Sequence, residues 1–343
     1  MKNLNIVTAC VFLVGAISTF QAKAASPAHG PAYGQNLEGF NYTYSVKEFE
    51  FTSQGQRLTM AYMDVLPDKP NNRTIVLLHG KLFCADTWRA TIKSLSDSGF
   101  RVIAPDQIGF CKSSKPERYQ YSFQQLSSNT RALLDNLKIN DSIVMGHSMG
   151  GMLAIRYGLM YPQATTQLLL INPLGLEDWK AHGVPYVNID THYKEELTTN
   201  KADLKEYQRI VHYNGEWRPE FDRWVDMLTG MYKGDGLPLV ARNAALTSDM
   251  IFNQPVFYEF EQLKVPTVLF VGLKDKTAIT NGAPPQVLSQ LANYSALGKA
   301  ATARIPQAKL IEFEDLAHSP HLQQPERFNK TLLSIINTEQ TKK

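Results

Sequence analysis

Six short, almost continuous apolar runs constrain this chain most: residues 74–79, 101–105, 142–145, 167–171, 267–271 and 309–313. A run that is apolar at nearly every position suits a strand buried on both faces, as in a parallel sheet covered by helices. The segments between the first runs carry helical signals. Ser122 can cap a helix, and Gln125 three residues on can complete a capping box. Leu126, Leu133, Leu134 and Leu137 then form an apolar face, and residues 152–161 read as a helix closed by Pro162. Ahead of the runs, residues 44–51 and 58–65 read as two strands joined by a turn at Gln54-Gly55-Gln56. Alternation of this kind predicts an α/β fold with a doubly wound, mostly parallel sheet and right-handed crossovers. It breaks between Leu174 and Lys264, a stretch with helical patches and aromatics and far too long for a loop. The expected organisation is a core of residues 41–173 and 265–338 with an inserted helical cap, residues 174–264.

The N-terminus stands apart from this pattern. Lys2 opens it, residues 6–20 are mostly apolar and uncharged, and Ala22-Lys23-Ala24 follows. That is the layout of a secretory signal peptide over residues 1–24, with an apolar core shorter than the ~20 residues of a membrane span. Residues 25–40, rich in Pro, Gly and Ala, read as a flexible leader. The expectation is an exported protein, periplasmic or secreted, with no membrane span after cleavage. Loss of Lys2 and Lys23 takes the formal charge from +3 to +1, which gives no electrostatic reason to expect nucleic acid or an acidic membrane as partner. Cys84 and Cys111 remain, an even pair that suits a disulfide in an exported protein or two unpaired buried side chains.

Gly146-His147-Ser148-Met149-Gly150 follows an apolar run and precedes a helical pattern. G-x-S-x-G in that setting is a nucleophile elbow. The nucleophile sits on a strained turn, and the flanking glycines avoid collisions with neighbouring backbone. A serine hydroxyl needs a base, and the base an orienting acid. Beyond such an elbow the acid comes before the histidine. Asp275 follows the run 267–271, and His318 follows the run 309–313, both at strand ends where open α/β sheets place their sites. His321 is a rival base. Glu177 and Asp178 are rival acids, weakened because Asn172 holds the strand end before them. His318 and His321 could suggest a metal pair, but no Cys or carboxylate cluster supports one, so no metal and no cofactor is expected. The oxyanion of a tetrahedral intermediate needs donors. These are expected from the N–H of Met149 and of Lys81, with Leu82 as substitute, and the Lys81 side chain is expected at the surface.

His79-Gly80, residues 106–116, Gly146 to Gly151, residues 272–275 and residues 318–328 together resemble the blocks of the α/β-hydrolase superfamily. The likeness is to its branch with a helical cap, which includes esterases, C–C bond hydrolases, epoxide hydrolases and dehalogenases. The resemblance implies Ser148, Asp275 and His318 as the catalytic triad and His321 as structural. Epoxide hydrolases and haloalkane dehalogenases need an aspartate nucleophile, so Ser148 argues against both. Two positions depart from the pattern: Ala317 and Cys111 stand where glycine is common. In this fold the loops carrying Cys84 and Cys111 are neighbours, which implies a Cys84–Cys111 disulfide contributing on the order of 3 kcal/mol. The cap should cover the pocket. Its aromatics, Trp179, Tyr186, Tyr193, Tyr213, Trp217, Phe221 and Trp224, are expected mainly in its own core, and they make a small substrate with an apolar acyl or aryl group the expected partner. The implied activity is hydrolysis of a carboxylic ester, lactone or thioester through an acyl-enzyme. The alternatives are C–C bond hydrolysis of a vinylogous diketone by the same triad and, in another class, a catalytically silent binding protein.

Overall fold

The structure, a computed structural model, describes residues 31–280 and 282–338, the Thr338 side chain excepted. The expected signal segment and the start of the leader lie outside the described residues. Eight strands form one sheet: β1 (Val46–Ser53), β2 (Gln56–Val65), β3 (Thr74–Leu78), β4 (Arg101–Pro105), β5 (Ser142–His147), β6 (Thr165–Ile171), β7 (Thr267–Gly272) and β8 (Lys309–Phe313). Their order is β1-β2-β4-β3-β5-β6-β7-β8. β2 runs antiparallel to both neighbours, and every pair from β4 to β8 is parallel.

The helices of the core are α1 (Arg89–Asp97), α2 (Phe123–Asn136) and α3 (Met149–Met160). Between β6 and β7 come α4 (Ile189–Leu197), α5 (Lys201–Tyr207), α6 (Pro219–Met231) and α7 (Leu237–Asn253), with a π-helical turn at Gln208–His212. The short α8 (Pro285–Leu288) and α9 (Tyr294–Arg304) follow β7, and α10 (Pro320–Gln323) and α11 (Pro325–Thr338) close the chain.

Side chains on successive strand residues point to opposite faces, and the buried residues sort accordingly. Ile75, Leu77, Ile143, Met145, Leu169 and Ile171 pack on one face with α1 and α11. Val76, Leu78, Val144, Leu168 and Leu170 pack on the other with α2 and α3. The central runs are apolar throughout because each strand serves two cores. β8 differs from the other runs. It lies at the sheet edge, and Lys309 and Glu312 are exposed.

The α2 cap is half of a capping box. Ser122 Oγ accepts from Gln125 N at 3.0 Å, but the Gln125 side chain donates to Asn129 Oδ1. The leader also departs from expectation over its described part. Tyr33 N donates to Gly230 O of α6 at 2.9 Å, Leu37 is buried, and its carbonyl accepts from Lys112 Nζ. A Cβ on Gly230 would overlap the Tyr33 ring. Residues 33–40 are therefore packed as a strap over α6 rather than free, because Tyr33, Leu37 and Phe40 are apolar enough to join the core.

Candidate active site

β3 has β4 on one side and β5 on the other, so the strand order reverses there. That is the place where open α/β sheets form a crevice at their strand ends. Ser148 stands directly beyond β5, between that strand and α3, with φ 57° and ψ −121°. This left-handed backbone is costly for a side-chain-bearing residue, on the order of 1–3 kcal/mol, and its neighbours enforce it. Ser148 N donates to Ile171 O at 3.1 Å, and its carbonyl accepts from Gly151 N and Leu174 N. A Cβ on Gly146 would overlap the Gly150 carbonyl, and one on Gly150 would overlap the Leu78 carbonyl. The elbow therefore closes only with glycine at both positions.

Asp275, after β7, and His318, after β8, are buried together. His318 Nδ1 lies 2.7 Å from Asp275 Oδ2. A carboxylate accepts, so Nδ1 carries the proton and Nε2 is left with its lone pair. Asp275 takes two further bonds, from Asn172 Nδ2 at 2.8 Å and Thr277 N at 2.8 Å. Asn172, at φ 37° just beyond β6, also accepts from Gly272 N through Oδ1. It is a positioning residue that the sequence offered only as an occupant of a strand end.

Ser148 and His318 line one cavity of about 280 Å³ with Phe83, Tyr207, His212 and Phe252. Lys81 and Leu82 reach its wall from the loop after β3. A Cβ on Gly80 would crowd the Ser148 Cβ, so glycine lets this loop approach the elbow. Met149 opens α3, where N–H groups lack intrahelical acceptors. The Lys81 side chain is not at the surface. Its Nζ pairs with Glu196 Oε1 of α4 at 2.9 Å, both partly buried, because the cap covers the loop.

The rivals are engaged elsewhere. Glu177 accepts from Ala292 N, and Asp178 accepts from Ala181 N and the Tyr258 hydroxyl. His321 stacks on Trp88, ring centres 4.4 Å apart, outside the cavity wall. The cap aromatics Trp179, Tyr213, Phe221 and Trp224 are buried. Tyr213 and Phe221 stack at 3.9 Å, while Tyr186 is exposed. The cavity takes its aromatic walls from Phe83, Tyr207 and Phe252 instead.

Around His318 lies a cluster of imidazoles. The His318 ring is 4.7 Å from that of His147 and 4.8 Å from that of His212, and His147 is 4.6 Å from His321. His147 Nε2 donates to the His318 carbonyl at 2.8 Å, tying the His318 backbone to the elbow. Burial, and after it the neighbouring imidazoles (His321 first for His147, His318 for His212 and His321), hold all three below the usual histidine range, His321 at about 3. Of the four, His318 alone has a carboxylate partner among the described residues. His79 is separate and structural: its Nδ1 donates to Gly80 O and its Nε2 accepts from Gln107 N.

Cys84 and Cys111 form a disulfide, with Cα atoms 5.8 Å apart. Cys111 has φ 47°, which accounts for the preference for glycine there. Asp106 is close to both sulfurs, but these are joined to each other and offer no thiolate to a metal.

A family model described as alpha/beta hydrolase fold matches residues 73–325. A solved structure described as a probable hydrolytic enzyme from Pseudomonas aeruginosa PAO1 is 57% identical, covers 89% of this chain and 98% of its own, and superposes with a TM-score of 0.88. A protein named AB hydrolase superfamily protein YisY, from Bacillus subtilis, is 24% identical over 79% of this chain and 94% of its own length. An esterase from Exiguobacterium antarcticum is 19% identical over 82% of this chain and 96% of its own, with a TM-score of 0.65, a likeness of fold. The chain belongs to the α/β-hydrolase fold family, and it is a hydrolase.

Proposed function

We propose that this hydrolase cleaves carboxylic esters, lactones among them, with Ser148 as nucleophile. The observation that carries this is the His318–Asp275 contact at 2.7 Å, buried behind the cavity that His318 and the strained-elbow Ser148 both line. The Ser148 hydroxyl attacks the carbonyl carbon while His318 Nε2 takes its proton. Asp275 accepts from Nδ1–H and stabilises the imidazolium. Negative charge on the carbonyl oxygen meets the N–H groups of Met149 and Lys81. As the tetrahedral intermediate collapses, His318 returns the proton to the departing alcohol. Water then attacks the acyl-Ser148, giving His318 a proton that passes back to Ser148 as the acid leaves. Neutral His147, His212 and His321 add no competing positive charge beside the imidazolium.

We further propose that the protein acts outside the cytoplasm, on the signal-peptide-like layout of residues 1–24. The disulfide supports this, since such bonds persist in oxidising compartments. Mass spectrometry of exported protein should find an N-terminus near Ala25. The chemistry is tested by steady-state turnover of a panel of esters, lactones and thioesters. We expect hydrolysis that Ser148→Ala abolishes. A folded wild-type protein inert to the whole panel would contradict the reading.

A further inference from the structure

We infer that a second chamber beside the Ser148 cavity is a binding site for a medium-length apolar acyl chain, entered past a partition made by Lys81, Glu196 and Tyr232. This rests on the ester reading and deepens it. The second chamber measures about 210 Å³ and is walled by Phe110, Leu204, Leu228, Met231 and Val240. Lys81, Leu82, Glu195 and Glu196 line both chambers, so the two share a wall. Neither chamber alone reaches the ~300 Å³ lower end of sites for drug-sized ligands; joined, they do.

The polar part of that wall is made of side chains. Lys81 Nζ pairs with Glu196 Oε1 at 2.9 Å, and the Tyr232 hydroxyl donates to Glu196 Oε2 at 2.6 Å. Burial would raise the Glu196 carboxyl, but Lys81 and the Tyr232 hydroxyl outweigh it and hold the group below its usual range, so the carboxylate is charged. Three long side chains from the core loop, from α4 and from just beyond α6 can turn aside without moving any backbone. On the far side, Lys115 Nζ donates to the carbonyls of Cys111 and Ser113, burial lowers its pKa to about 7, and the remaining walls are mostly apolar. An apolar chain suits that lining. The chain is the acyl one. The acyl group takes part in both chemical steps and is bonded to Ser148 between them, and Lys81 and Leu82, beside its carbonyl oxygen, form the wall it must pass. Cys111 lines this chamber, so the disulfide braces it.

The test compares p-nitrophenyl acetate with p-nitrophenyl decanoate on wild type, Leu228→Trp and Val240→Phe. A second readout is the melting-temperature shift given by 1-octanol in Ser148→Ala, with and without Leu228→Trp. Filling the chamber should lower the decanoate-to-acetate ratio of kcat/KM by about tenfold or more, since several methylenes lose their burial. Glu196→Gln, which removes the charge and keeps the volume, should raise the ratio. Octanol should stabilise Ser148→Ala and lose that effect when the chamber is filled. A ratio unchanged in both filling variants, or an octanol shift that survives filling, overturns the chamber. A ratio unmoved by Glu196→Gln overturns the partition. If wild type cleaves neither ester, the ester reading fails, while an octanol shift lost on filling still upholds the chamber.

Discussion

At the residue scale the site depends on groups that hold other groups. Asp275 takes bonds from His318, Asn172 and Thr277, so its carboxylate is fixed from three directions. Asp275→Asn would leave His318 in the wrong tautomer and should lower kcat by on the order of 10⁴ with the fold intact, measured by steady-state kinetics beside circular dichroism. Asn172→Ala removes one of the holding bonds and leaves a polar atom short of a partner. A loss of ~1–2 kcal/mol at the transition state corresponds to a fall in kcat of about tenfold. KM should change little, because Asn172 does not line the cavity. A change confined to KM would show that Asn172 acts on binding instead.

At the element scale the disulfide and the loops it joins lie between core, strap and site. The bridge links the loops after β3 and β4 across a sequence separation of 27 residues. Breaking it by Cys84→Ala should cost on the order of 3 kcal/mol in denaturant unfolding. The left-handed backbone at Cys111 adds a finer expectation. In the Cys84→Ala background, Cys111→Gly should be more stable than Cys111→Ala by ~1 kcal/mol, because glycine is at ease at that φ. Equal stability of the two would mean that the loop relaxes once the bridge is gone. At the elbow the constraint is harder. Gly150→Ala sets a methyl group against the Leu78 carbonyl and should abolish activity and lower stability together.

Across the whole molecule, the imidazole cluster ties stability to pH. The unfolded chain binds protons at histidine below pH ~6.5, whereas buried His147, His212 and His321 resist them, His321 down to about 3. Stability from these groups is therefore full above pH ~6.5 and is lost as pH drops towards the lowered folded values. Urea denaturation should give a lower unfolding free energy at pH 5 than at pH 7, and His321→Phe should make that dependence shallower. This cluster was not legible in the sequence, nor were Asn172, the Lys81–Glu196 pair or the packed strap. Lys81 meets Glu196 across 115 residues and His147 meets the His318 carbonyl across 171, and no local period encodes such contacts. That Ser148, Asp275 and His318 come to one site was legible because each follows an apolar run whose strand character is local, and the glycines around Ser148 are demanded by its own turn. The buried strands were legible for the same reason, while the exposure of β8 depends on its place at the sheet edge. The central claim, that Ser148 is the nucleophile, is met most directly by reaction with a fluorophosphonate followed by peptide mass spectrometry. We expect one adduct per chain, on Ser148, and none in folded Ser148→Ala. An adduct on another residue, or no adduct on folded wild-type protein, would contradict it.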